Sequence, residues 1–218
     1  MAKQTVLPLA YFPDIFYMSQ VVGAKSILLE TNEFFEKKTI RNRCDIAGAN
    51  GKQKLSVPVK NINSKKIISE VEISYADSWQ HKHFKAIESA YGLSPFYEFY
   101  IDDFLFVFEN KFEKIADLNI AILNKIIEIL EVDVLVDFTK TYISAYKQTE
   151  YHDFRFWYSK ANKDDGGVAY PVYTQVFTDK NGFLSNLSIL DLLFNLGPET
   201  EEYLLNLFDK THELWKKQ

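Results

Sequence analysis

A chain of 218 residues with 47% hydrophobic and 25% charged residues has the composition of a folded globular protein, and one domain over 1–218 is the default. Its formal net charge of −5 argues against sequence-independent nucleic-acid binding, its one cysteine, Cys44, excludes an internal disulfide framework, and no apolar run is long enough to cross a bilayer. The opening Met1-Ala2-Lys3-Gln4-Thr5 leads into too short an apolar segment for a signal peptide, so a cytoplasmic protein without membrane insertion is expected.

Thr5 to Ala10 is predicted as a first strand. Pro13 is suited to the first position of a short helix through Phe16 and Tyr17, which Gly23 can end. Lys25 to Glu30 reads as a second, buried strand, and the three elements suggest a βαβ-like unit with parallel strands. Lys37 to Cys44 and Leu55 to Val59 flank Gly48-Ala49-Asn50-Gly51; Asn50-Gly51 fits a type I′ turn, so a β-hairpin is predicted there. A strand at Ile67 to Ile73 and a helix from Asp77 to Tyr91, stopped by Gly92, follow. Two helical stripes come next, Phe104, Phe108, Phe112 and Ile115, then Leu118, Ile122, Ile126 and Leu130. Val134 to Phe138 reads as a strand, Tyr142 to Tyr173 as the irregular part, and Tyr170 to Thr178 as a short strand. Ser188-Ile189-Leu190-Asp191 has capping-box spacing, and Gly197-Pro198 separates two C-terminal helices. The expected fold class is α/β, a mixed β-sheet with flanking helices, an N-terminal βαβ-like unit and a β-hairpin.

The predicted hairpin carries the most chemistry. Alternation puts Arg41 and Arg43 on one strand face, two planar donor forks suited to carboxylate or phosphate, with Asn42 opposite. The plainer alternative is a solvated strand face. Lys37 and Lys38 add positive potential. Trp79, His83, Ile87 and Ala90 share a helix face, so His83 is either a core imidazole or a general acid or base near neutral pH. His81 and His83 lie too far apart around a helix to chelate one metal, and neither a metal site nor a cofactor motif is evident. Glu30 ends a parallel strand, where ligands of open α/β sheets bind. Asp191 reads as a capping residue and Cys44 as a small buried hydrophobe, although Arg43 beside it would favour a thiolate. Gly166-Gly167 and the polar-aromatic mix of 142–174 suggest a lid over the site.

Taken in order, Tyr11-Phe12-Pro13 with Phe16-Tyr17, Leu28-Leu29-Glu30, Asn42-Arg43, Leu55-Ser56-Val57-Pro58-Val59, and Trp79…His83…Tyr91 with Pro95-Phe96-Tyr97 resemble the WbqC-like proteins of bacteria. Tyr173-Thr174-Gln175-Val176-Phe177, Gly182-Phe183 and the run from Asn186 to Pro198 look like the form common in Bacteroidetes. The resemblance implies a tie to surface-polysaccharide (O-antigen-like) synthesis without a settled activity. Where the family often has an acidic pair after the second strand, this chain has Glu30-Thr31-Asn32-Glu33, which leaves Glu30 and Glu33 for an acidic role.

The resulting expectation is a pocket between the first strand-helix turn and the hairpin. Its substrate-binding residues would be Tyr11, Lys38, Arg41, Asn42 and Arg43, and its catalytic residues His83 and Glu30. The leading function is an enzyme of surface-glycan biosynthesis, with acyl or aminoacyl transfer to an activated, for instance nucleotide-activated, amino-sugar as its reaction. The alternative is a non-catalytic ligand-binding or assembly protein of the same pathway.

Overall fold

The computed structural model describes residues 4–60, 65–144, 151–160 and 167–216. Four parallel strands form the central sheet, β1 (Gln4–Pro8), β2 (Ser26–Glu30), β5 (Leu135–Phe138) and β6 (Tyr151–Asp153), in the order β5-β2-β1-β6. A separate antiparallel hairpin pairs β3 (Arg43–Gly48) with β4 (Gly51–Ser56). The helices are α1 (Ile15–Val22), α2 (Trp79–Tyr91), α3 (Tyr97–Tyr100), α4 (Leu105–Glu109), α5 (Ile115–Ile129), α6 (Thr178–Asn181), α7 (Ile189–Leu196) and α8 (Thr200–Lys216). The α/β class and the βαβ unit are as expected: β1 and β2 are parallel in the register Thr5–Ile27 to Pro8–Glu30, joined through α1.

A parallel sheet needs cover on both faces, and the sequence supplies it. Val6, Leu7, Ile27 and Leu29 are buried in the two central strands. Every residue of α1 is buried, because α8 closes over it. The approach is close at the end of α1, where a Cβ on Gly23 would stand 2.3 Å from the Phe208 ring, so only glycine fits. Pro13 does not open α1. It precedes the N-cap Asp14, whose carboxylate accepts the Tyr17 amide at 2.8 Å.

Several expected elements differ. The hairpin turn is Ala49-Asn50, and Gly51, at φ 102°, is the residue with positive φ; neither Ala49 nor Asn50 has it, so the turn is not type I′. Residues 67–73 form a 3-10 turn at Ile68–Glu70 and isolated bridges instead of a strand, while Ile68, Val71 and Ile73 stay buried. The first of the two long helical stripes is broken at Asn110, which is extended, and the Gln80 amide donates to the carbonyls of Val107 (2.8 Å) and Asn110 (2.7 Å). β6 was not anticipated, and no strand forms in 170–178. Asp164-Asp165-Gly166 of the expected lid lies outside the described residues.

Candidate functional site

A cavity of about 770 Å³ opens at the carboxyl ends of β2, β5 and β6. Each strand delivers groups as it ends. β2 is followed by Asn32, Glu33 and Phe34, β5 by Lys140 and Tyr142, and β6 brings Asp153 followed by Arg155 and Phe156. Phe34, Tyr142 and Phe156 are exposed aromatic walls. This is the edge at which open α/β sheets hold their ligands.

Two guanidiniums are held rigidly here. Arg155 Nη1 donates to Glu30 Oε2 at 2.6 Å, Nη2 to Asp153 Oδ2 at 2.6 Å, and Nε to Asp153 Oδ1 at 2.9 Å. Its Cζ lies 5.0 Å from the centre of the Tyr142 ring, within cation–π range. Arg41 meets Glu33 as a bidentate fork, Nε to Oε1 at 2.7 Å and Nη2 to Oε2 at 2.6 Å, while Nη1 donates to the Tyr158 carbonyl at 3.0 Å. Burial pushes the Glu33 carboxyl above its usual range, and Arg41 opposes that shift.

The expectation that Arg41 and Arg43 share a strand face is overturned. The chain turns at 37–42 before β3 begins, with Asn42 N donating to Thr39 O at 3.1 Å. The turn swings Arg41 inward to 2% exposure, whereas Arg43 remains on β3, its Nε donating to Ser56 Oγ at 3.0 Å. Arg41 is thus tied to a buried carboxylate and is not half of an open anion fork. Asn42 fixes this turn with both ends of its amide: Oδ1 accepts from Lys38 N at 2.9 Å, and Nδ2 donates to the Val57 carbonyl at 2.9 Å.

Glu30 lies behind the cavity wall, fully buried. Besides Arg155 it accepts from Thr139 Oγ1 at 2.7 Å and from the amides of Asn32 (2.8 Å) and Ile143 (3.1 Å). With every site used, it positions Arg155 and the chain after β5. His83 stands elsewhere, in the core between Tyr11 and Trp79, with Nδ1 2.8 Å from the Tyr11 hydroxyl and its ring also bonded to the Ser56 backbone. Desolvation lowers its pKa to about 4, so it is a neutral, satisfied core imidazole. Tyr11, fully buried, is its partner and lines neither cavity described here. Asp191 is no capping-box residue. Its carboxylate accepts from the Tyr173 hydroxyl and from Gln175 Nε2 (2.9 Å) in the core.

Lys38 and Arg43 border a second, smaller cavity of about 180 Å³, together with Phe12, Asp14, Cys44, Asp45, Tyr158 and Asn186. Among the described residues, Phe12 (φ 41°), Lys38 (φ 67°) and Asn186 (φ 46°) have positive φ, so three of its lining residues occupy the left-handed region. Such backbone costs on the order of 1–3 kcal/mol for a bulky residue and collects at functional sites. Desolvation raises the Asp14 carboxyl to about 6 against hydrogen bonds from the Tyr17 amide, Tyr158 and Asn186. Burial, and Asp45 beside it, push the Cys44 thiol up, which disfavours a thiolate nucleophile. Tyr158 joins the two cavities: its hydroxyl donates to Asp14 Oδ1 at 2.9 Å and its carbonyl accepts from Arg41. Among the described residues no group of three or more His, Cys, Asp or Glu is placed to hold a metal ion, and no helix is long and apolar enough to cross a membrane.

The sheet and its cavity define an α/β protein with an open cleft at the carboxyl edge of its parallel strands. The chain belongs to the WbqC-like protein family, whose model matches residues 10–153. The match begins just after β1 and runs from the β1–α1 turn through β6, and it includes Glu30, Arg41 and Asp153. No curated protein and no solved structure matched the chain.

Sequence reasoning found Glu30, Glu33 and Arg41, because the first two end or follow an apolar strand. It missed Asp153 and Arg155, whose signal was only a charged pair in an irregular stretch. It also missed Asp14, for which Asp directly after Pro13 was the available cue.

Proposed function

We propose that the large cavity binds an activated amino-sugar and that the protein serves surface-polysaccharide (O-antigen-like) biosynthesis. The observation that carries this reading is the pairing of three exposed aromatic rings, Phe34, Tyr142 and Phe156, with two rigid guanidinium–carboxylate pairs, Glu33–Arg41 and Asp153–Arg155, in one cavity. Rings supply flat apolar surface for a sugar face, and fixed ion pairs offer donors and acceptors to its hydroxyl and amino groups. Among the described residues Lys140 lines the cavity without an ion pair, so it is free to meet a phosphate of the activated sugar. The reaction that fits is acyl or aminoacyl transfer from an activated ester or thioester to the sugar amine. The amide bond forms as the donor's acyl–oxygen or acyl–sulfur bond breaks; Glu33, desolvated and oriented by Arg41, takes the proton that the amine releases, and the donor's alcohol or thiol leaves with that proton.

A second reading is a non-catalytic binding or assembly protein. It is favoured by one observation: both oxygens of Glu33 are engaged by Arg41, and His83 is remote from the cavity.

Titration calorimetry with nucleotide-linked amino-sugars tests binding. Phe156→Ala and Arg155→Gln should each weaken it by roughly tenfold or more, and no binding by wild type would overturn the reading. Glu33→Gln then separates the two alternatives. An enzyme loses turnover by on the order of 10²–10⁴ with binding retained, whereas a binding protein shows no turnover to lose.

A further inference from the structure

The small cavity has an unusual charge arrangement. Two cations, Lys38 and Arg43, and two carboxylates, Asp14 and Asp45, line it. Among the described residues neither cation makes an ion pair, although both carboxylates border the same 180 Å³. Among the described residues Arg43 spends only Nε, on Ser56, and the two Nη groups of its fork have no partner. Asp45 Oδ1 is buried and accepts no hydrogen bond among the described residues, which leaves this carboxylate under-satisfied. Charges of opposite sign therefore border one cavity without pairing with each other.

Other features point to the same place. The backbone around the cavity is strained at Phe12, Lys38 and Asn186, and each strained residue is fixed by a hydrogen bond or by core packing. Lys38 N is held by Asn42, Asn186 Oδ1 accepts from Phe16 N at 2.9 Å, and Phe12 packs on Phe104 at 5.5 Å. A structure that over-determines strain around a cavity is pre-organised for what the cavity holds. The volume corresponds to roughly six water molecules at liquid density, and so to a ligand of about five to seven non-hydrogen atoms.

We propose that the cavity between Asp14, Lys38, Arg43 and Asp45 is a binding site for a small zwitterion, of the size and charge pattern of a short α-amino acid. The ligand carboxylate lies on the Arg43 fork, with Lys38 closing over it from the surface. The ammonium lies between the Asp45 and Asp14 carboxylates. Asp14 also faces the Tyr158 hydroxyl, the Tyr17 amide and Asn186, and feels the charge of Lys52. Its carboxyl titrates at about 6, so the ammonium half of the site is charged above that pH and neutralised below it. Affinity should therefore fall as pH drops from 7.5 to 5. This site stands on its own residues and does not depend on what the large cavity binds.

The experiment is calorimetry or ligand-observed NMR on the full chain with glycine, alanine and serine, against acetate, methylamine and inorganic phosphate as single-charge probes. The expected result is that an amino acid binds at least tenfold tighter than either singly charged half. Arg43→Gln should weaken it by roughly ten- to a hundredfold. Asp14→Asn, which keeps the N-cap acceptor of α1 and so the fold, should weaken amino-acid binding and abolish its pH dependence while leaving acetate unaffected. Acetate or phosphate binding as tightly as the amino acid would overturn the zwitterion in favour of a plain anion site. No binding of any probe by the folded wild type would overturn the site itself. Because the sugar-derived ligand and the amino acid are assayed separately, failure of one leaves the other standing.

Discussion

Glu30 is fully buried, and among the described residues Arg155 is the only cation bonded to it, so the consequence of cutting that pair can be worked from the structure. Replacing Arg155 by Met leaves a carboxylate without its 2.6 Å ion pair but with three neutral donors, Thr139 Oγ1, Asn32 N and Ile143 N. An uncompensated buried charge costs roughly 3–5 kcal/mol; the three donors place this case near the lower end, at about 3 kcal/mol. Asp153, the other partner, has a side chain 14% exposed, so water recovers part of its solvation and it adds little. Glu30→Gln removes the charge but turns an amide N–H₂ toward one of the donors, at a cost of roughly 1–3 kcal/mol. The double variant removes both charges. It should therefore be less destabilised than the sum of the single variants, by a coupling of about 1–3 kcal/mol. Urea unfolding followed by tryptophan fluorescence at pH 7 measures all three. Arg155→Met within about 0.5 kcal/mol of wild type, or strictly additive effects, would refute the assignment of Glu30 as a desolvated anchor.

Two further outcomes follow from titrating groups. His83 has a folded pKa of about 4 against 6.5, so the unfolded chain binds more protons between those values and wild type loses up to about 3 kcal/mol as pH falls through that window; His83→Gln, destabilised at pH 7, should narrow its gap to wild type at pH 4.5, and a constant gap would count against a buried neutral imidazole. Asp14 has the opposite sign: its folded pKa of about 6 against 3.8 means the folded chain binds more protons, so stability falls by up to about 3 kcal/mol as pH rises from 4 to 6, and Asp14→Asn should gain on wild type over that rise, with equal unfolding midpoints differences at pH 4 and 7 as the refuting result.

The parts of the fold that were legible are those where burial and local geometry agree. β1 and β2 are apolar runs, α2 and α5 carry one apolar stripe each, and Gly23, Gly92 and Gly197 stand where helices stop. The misreadings have one physical origin: an apolar pattern reports which side chains are buried, not where the backbone finds its partners. Ile68, Val71 and Ile73 are as buried as a strand would make them, yet Ile73 N donates to Glu113 O and the Val71 carbonyl accepts from Ile115, so no ladder forms. Phe104 and Phe108 continue a helical stripe, but Gln80 from another helix takes the carbonyls at the break. The site was legible in proportion to its locality. Glu30 and Glu33 could be placed by their strand. Arg155, a partner 125 residues from Glu30, could not, and Arg41 was misplaced because the turn at 37–42 is set by the Asn42 side chain.

The β1–α1 turn explains why the small cavity exists at all. Its backbone is held from two directions: Tyr11 N donates to Ile40 O at 2.9 Å, and Ile15 N to Leu187 O at 2.9 Å, while the carbonyls of Phe12 and Pro13 accept from Ser188 Oγ and Ile189 N. These bonds, with the burial of the Phe12 ring, offset the cost of its left-handed φ. They also fix Asp14 at the junction. An N-cap needs only an acceptor, and Asn or Ser supplies one without a desolvated charge. At neutral pH the Asp14 carboxylate is ionised at a net cost to stability, so capping alone does not account for it. What the charge adds is a negative group at the cavity that Lys38 and Arg43 also border. A residue that is costlier than its local structural role requires, in a turn clamped by distant segments, is where a stability–function trade-off is expected.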